Sequence, residues 1–183
     1  MLSKTSKISV ISLNIVTCWE EDVQINPGQP NEKTGELALK SLESATEALK
    51  SGVIDLLVTA PINKNVIHSE AFPFSGHTPY LQHKMGSENV LMFMVSDNIK
   101  VGLVTEHVAI KDIHEHITQE AILQKLQLMN QSLIVDFGID KPRIAVLGLN
   151  PHAGDNGLIG VEEVEIITPA VKTANKNGIL AFG

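Results

Sequence analysis

The sequence predicts an α/β fold, a three-layer α/β/α arrangement with a mixed sheet, on three observations. Apolar runs at 54–59, 90–95, 100–104, 143–147 and 179–182 have strand length, while 34–51, 118–137 and 161–177 carry helical periodicity. Most of the runs are separated by helical stretches, as when crossover helices join the strands of a sheet. Several of the runs also open into turns rich in glycine, proline or histidine, the edge at which open α/β sheets bind ligands.

Taken in order, 8–16 alternates Ser9, Ser12 and Asn14 with apolar residues, as a half-buried strand does, and 18–33 is a connector with Pro27, Gly28 and Pro30. Residues 1–33 are thus expected to be a leading strand and connector to an α/β domain over 34–183. In the first helix Ala38, Leu42, Ala45 and Leu49 share a face, and Gly52 supplies the stop. The run 54–59 is nearly unbroken, as in a parallel strand covered on both faces. It empties into Thr59-Ala60-Pro61-Ile62-Asn63-Lys64 and then Phe74-Ser75-Gly76-His77-Thr78. There Thr78 is expected to cap a short helix with Pro79 first in it, giving an anion site beside Lys64 and His77. The runs 90–95 and 100–104, joined by Ser96-Asp97-Asn98, predict a hairpin and so a mixed sheet. Ile122, Leu126, Met129 and Leu133 mark the buried face of the next helix, and Pro169 predicts a kink in the last. The run at 179–182 starts a strand at the final residues, which predicts a domain continuing past Gly183.

Composition narrows the function. The net charge is −7, Arg143 is the one arginine, and aromatic residues make up 4%, so nucleic acid is not an expected partner. The single cysteine, Cys18, leaves no intrachain disulfide and fits a reducing cytoplasm. No apolar segment has the length to span a bilayer, and a membrane partner is not expected. Neither Gly-x-Gly-x-x-Gly nor a Walker-type Gly-Lys-Ser/Thr occurs.

The richest stretch is Gly148-Leu149-Asn150-Pro151-His152-Ala153-Gly154-Asp155-Asn156-Gly157, a glycine-rich turn between a strand and a helix opening with Glu162-Glu163. Two acids suit a helix N-terminus. One unit earlier, Thr105-Glu106-His107 also follows a strand. His107 and His152 would therefore meet at one sheet edge, where two imidazoles suit zinc, cobalt or nickel. A catalytic site of that kind takes three protein ligands, so the third is missing or comes from elsewhere. His114, His116, His68 and His83 read as solvated.

Four motifs together resemble one family: Pro61-Ile62-Asn63-Lys64, Gly76-His77-Thr78, Thr105-Glu106-His107 and Gly148-Leu149-Asn150-Pro151-His152-Ala153-Gly154. It is the 4-hydroxythreonine-4-phosphate dehydrogenase family of pyridoxal phosphate biosynthesis. The resemblance runs from about Thr34 to the last residue and covers the middle of the family's longer chain. It implies a fold similar to isocitrate and isopropylmalate dehydrogenases. It implies NAD and a divalent metal (Zn, Co or Mg) as cofactors, and a small phosphorylated hydroxy acid as substrate. By the same resemblance His77 and Thr78 contact substrate, while His107 and His152 are two of three metal ligands. The third ligand comes from the partner subunit of a homodimer with a shared active site. The implied reaction is oxidation of the hydroxyl of 4-phosphooxy-L-threonine by NAD, followed by decarboxylation, by a cytoplasmic enzyme. A dehydrogenase of a four-carbon sugar-acid phosphate, or a non-catalytic truncated remnant, would share these motifs. The 183 residues alone are expected to be inactive.

Overall fold

The computed structural model describes residues 13–183, so most of the strand expected at 8–16 lies outside the described residues. The chain divides into two compact units, Met1–Glu88 and Asn89–Gly183.

In the first unit helix α1 spans Glu32–Lys50. A capping box starts it: Asn31 Oδ1 accepts from the Thr34 amide at 2.9 Å, and Thr34 Oγ1 accepts from the Asn31 amide at 3.3 Å. Its buried side is Gly35, Leu37, Leu39, Leu42, Thr46 and Ala48, whereas Ala38, Ala45 and Leu49 are only half-buried. The expected stripe is therefore rotated. Thr46 can turn inward because its hydroxyl donates to the Leu42 carbonyl at 2.7 Å, leaving no unpaired donor. Gly35 turns inward because the Val66 carbonyl of α2 (Lys64–Ile67) runs against it, so closely that a Cβ would overlap that oxygen.

Helix α3 spans His77–Met85 and packs Tyr80 against Phe72, with ring centroids 5.2 Å apart. These two, with Leu39, Leu42 and Ile67, form the core of this unit. The run 54–59 forms no strand: Leu56 is 71% and Val58 83% exposed. A parallel strand needs neighbours for its amides and carbonyls, and among the described residues none pairs with it.

Tyr80 is 1% exposed, yet its hydroxyl has no hydrogen-bond partner among the described residues. Burial pushes the phenol above its ordinary value, and the neighbouring Thr46 hydroxyl, which opposes that shift, gives its own proton to Leu42. A buried hydroxyl without a partner carries its desolvation cost uncompensated. Tyr80→Phe is thus expected to leave the urea midpoint unchanged or raise it; a loss above about 1 kcal/mol would reveal a bonded hydroxyl.

The second unit begins with strands β1 (Phe93–Val95) and β2 (Lys100–Gly102), an antiparallel hairpin in the register Phe93↔Gly102 and Val95↔Lys100. The one-turn helix α4 (Ile113–His116) leads to α5 (Gln119–Val135), capped by Thr118 Oγ1 on the Ala121 amide at 3.1 Å. Its buried face is Ile122, Leu126 and Leu133, with Met129 half-buried, as the periodicity predicts. Strand β3 (Arg143–Ala145) lies parallel to β4 (Leu180–Phe182), connected through α6 (Thr168–Lys176). Ile144, Ile167, Ala170, Val171, Ala174 and Ala181 close the core against α5. The hairpin and the parallel pair stand as two two-stranded sheets among the described residues.

Ahead of Pro169, where the sequence predicts a kink, the helix widens. Residues Glu163–Ile167 are a π-helix that passes into α6 at Thr168. Proline has no N–H for the turn before it, and a widened turn is one way a helix absorbs that loss.

Candidate functional site

Beyond β3 the ladder extends one residue, the Val146 amide donating to the Phe182 carbonyl at 2.7 Å. The chain then enters a left-handed turn. His152, Ala153, Gly154, Asp155 and Asn156 have φ of 54°, 52°, 75°, 45° and 56°. Four of these carry side chains, and each left-handed residue with a Cβ costs roughly 1–2 kcal/mol, less for Asn and Asp. Such a turn persists only where its surroundings hold it.

What holds it is Glu163, which is 7% exposed. Its Oε1 accepts from the Leu149 amide at 2.7 Å and the Asn150 amide at 2.6 Å, and its Oε2 from Asn150 Nδ2 at 3.0 Å. Asn150 Nδ2 also donates to Glu162 Oε2 at 2.7 Å. Hydrogen bonds to an ionised group contribute about 1.5–3 kcal/mol each, so three together are of the size needed to offset the strain. Burial pushes the Glu163 carboxyl up, but the bonds from Asn150, its own amide and Leu149 outweigh this and hold it below its ordinary value. Gly154 completes the fit: a Cβ there would lie 2.6 Å from the Gly160 carbonyl and 2.8 Å from Glu163 Oε2. The sequence presented Glu162-Glu163 only as acids opening a helix. Their placement instead locks the preceding loop, and an acid pair one turn beyond a glycine-rich stretch was the one available signal.

His107 lies beyond β2 in the same unit and is also left-handed, with φ 57°. Its ring is 59% exposed, with Nδ1 3.9 Å from Glu106 Oε2. His152 is exposed as well. Both imidazoles are thus open to a ligand, and both occupy backbone that histidine rarely adopts. Among the described residues no three His, Cys, Asp or Glu side chains are grouped to hold a metal ion. His68, His114 and His116 are exposed, and His83 is exposed with its ring 5.3 Å from that of Phe74.

In the other unit the N-cap of α3 is Gly76, and His77 is the first helical residue. Thr78 and Pro79 therefore fall inside the first turn rather than at its cap, which proline tolerates because first-turn amides lack helical partners anyway. No side chain caps these amides. Lys64 Nζ lies 3.7 Å from where a Cβ on buried Gly76 would sit, so a cation stands at the positive end of the helix. Burial, then Lys64, pushes His77 below its ordinary value. It is a neutral hydrogen-bonding group near pH 7.

These features define an α/β protein that displays glycine-rich turns and imidazoles beyond its strands. Residues 2–183 match the family model described as pyridoxal phosphate biosynthetic protein PdxA, and the chain belongs to that family. It is 44% identical over 184 residues to the 4-hydroxythreonine-4-phosphate dehydrogenase of Bacteroides thetaiotaomicron, covering 100% of this chain and 50% of that one. With the enzyme of the same name from a Sulfurihydrogenibium species it shares 38% over 194 residues, 97% of this chain and 60% of the relative. The crystal structure of 4-hydroxythreonine-4-phosphate dehydrogenase from Klebsiella pneumoniae superposes with a TM-score of 0.78 at 32% identity, over 87% of this chain and 48% of that one. The chain thus spans about half the length of its first relatives. No helix among the described residues is long and apolar enough to cross a membrane.

Proposed function

We propose that these residues supply metal- and substrate-binding parts of a cytoplasmic, NAD-dependent 4-hydroxythreonine-4-phosphate dehydrogenase. The reaction is oxidation of the hydroxyl of 4-phosphooxy-L-threonine followed by loss of carbon dioxide, in pyridoxal 5'-phosphate biosynthesis. Beside the family match, one observation carries the reading: two exposed histidines of one unit, His107 and His152, each sit on a left-handed residue beyond a strand. Residues held in sparsely populated backbone collect at functional sites.

The donor set fits a borderline divalent metal in part. Two imidazole nitrogens are available, and we infer that the third ligand comes from the partner subunit of a homodimer, from the part of the longer relatives that this chain does not cover. When bound, a metal would supply Lewis-acid stabilisation at the substrate hydroxyl oxygen and NAD would supply a hydride acceptor. His107 and His152 would hold the metal. The open amides of α3, the Lys64 ammonium, neutral His77 and the Thr78 hydroxyl bind the phosphate or carboxylate of the substrate. In the assembled enzyme we infer a three-layer α/β/α arrangement with one mixed sheet.

Calorimetric titration of the chain with Co²⁺ or Zn²⁺ tests the metal reading. His107→Ala and His152→Ala are each expected to weaken binding by about tenfold or more, the scale of altered metal sites. Unchanged stoichiometry and affinity in both would remove the metal from this proposal.

A further inference from the structure

We propose that Glu163 is the positioning residue for His152: by gripping the two residues ahead of Pro151 it sets the direction in which the left-handed turn presents the imidazole. The grip is built for one purpose. Both backbone amides of the Leu149–Asn150 pair converge on a single carboxylate oxygen, at 2.7 and 2.6 Å, and the other oxygen takes the Asn150 side chain at 3.0 Å. No lysine, arginine or histidine pairs with Glu163 among the described residues. Its charge is spent entirely on amide donors of this loop and its own helix end.

Two successive acids reach one amide. Neighbours on an α-helix diverge by about 100°, yet Glu162 and Glu163 both bond Asn150 Nδ2. The widened turn over Glu163–Ile167 begins at the residue that makes the grip, and such turns gather at functional sites. Gly154 then seats against Glu163 Oε2 and the Gly160 carbonyl, where any Cβ would intrude. The turn is thus held on both sides of His152, at Asn150 and at Gly154, by one side chain. The consequence for metal binding rests on the reading of His152 as a ligand; the orientation of the turn does not.

The experiment is NMR on the metal-free chain, with Co²⁺ titration in parallel. Wild-type His152 and Ala153 are expected to show the strong intraresidue amide–Hα contacts of a fixed positive φ. Glu163→Gln keeps the oxygen facing both backbone amides but turns an NH₂ toward the Asn150 NH₂. The positive-φ signature at His152 should average out, and Co²⁺ affinity should fall about tenfold with little change in the α5–α6 core signals. Because Asn150 Nδ2 also bonds Glu162, the rescue is Asn150→Asp combined with Glu162→Gln and Glu163→Gln, which sets both new amide donors facing one carboxylate acceptor and should recover most of the signature. If Glu163→Gln does not fold, Asn150→Ala, which leaves Glu163 charged and bonded to both backbone amides, reports instead and should loosen the turn measurably. An unchanged signature in whichever variant folds overturns the proposal. A lost signature with Co²⁺ binding that never depended on His152 would instead overturn the metal reading and leave the positioning role standing.

Discussion

Gly35→Ala is expected to destabilise the first unit by about 2 kcal/mol or more, against the gain that helix propensity alone would give. Two effects compete. Gly35 lies inside α1, and alanine in a helix interior is better than glycine by about 1 kcal/mol. Against this, a Cβ at that position would fall on the Val66 carbonyl oxygen and crowd its carbon. The obstacle is backbone, which cannot swing aside as a long side chain can. Overpacking of that kind costs about 1–3 kcal/mol where the structure gives way, and more where it does not. Giving way here means lifting α2 from α1 and disturbing Ile67, which is 2% exposed in the core with Leu39, Leu42, Phe72 and Tyr80. Tyr80 is the chain's single tyrosine and is buried in that core, so its near-UV dichroism follows this unit alone. The variant should lose that signal at a lower urea concentration than wild type. A raised midpoint would mean that helix propensity decides and that α1 and α2 are not in backbone contact.

The same glycine shows where the sequence was legible and where it was not. Periodicity identified α1 and α5, and in α5 it also named the buried face, because Ile122, Leu126 and Leu133 are apolar at helical spacing with nothing else competing. In α1 the face came out rotated, with Leu42 of the expected stripe buried, since the contact with α2 selects a glycine and a threonine whose value lies in close approach and self-satisfied hydrogen bonding. The hairpin followed from run length and turn residues, and the runs at 143–147 and 179–182 were legible as strands, whereas the hairpin register and the parallel pairing of β3 with β4 were seen only in the structure. The run 54–59 has strand composition but no strand, because pairing is a property of neighbours and not of the run itself. Within the site, Gly148 to Gly157 announced itself through glycine and proline. Its left-handed course did not, since His152 and Ala153 have no intrinsic preference for it. The residue that imposes that course, Glu163, stands 13 positions after Asn150 and looks like any helix-opening acid until its bonds are seen.

Supplied with 4-phosphooxy-L-threonine, NAD and a divalent metal, the 183-residue chain alone is expected to form NADH at least about a thousandfold more slowly than a full-length relative. The chain covers 50% of the Bacteroides relative. Its described residues offer two open imidazoles but no three-ligand metal group. No dinucleotide fingerprint follows any of its strands. Its one arginine, Arg143, lies in β3 with its guanidinium 5.2 Å from the Phe182 ring, a stacking contact and not the fork that grips a phosphate. Each tenfold in rate is about 1.4 kcal/mol, so a thousandfold requires the loss of only about 4 kcal/mol of transition-state stabilisation. An absent metal ligand together with an ungripped phosphate reaches that size, because both act most strongly where charge develops in the transition state. Binding and turnover should therefore separate: Co²⁺ still titrates onto His107 and His152, while absorbance at the NADH band stays flat. Turnover near that of the relative would show that these 183 residues already hold the whole catalytic apparatus, and that the third ligand lies among them.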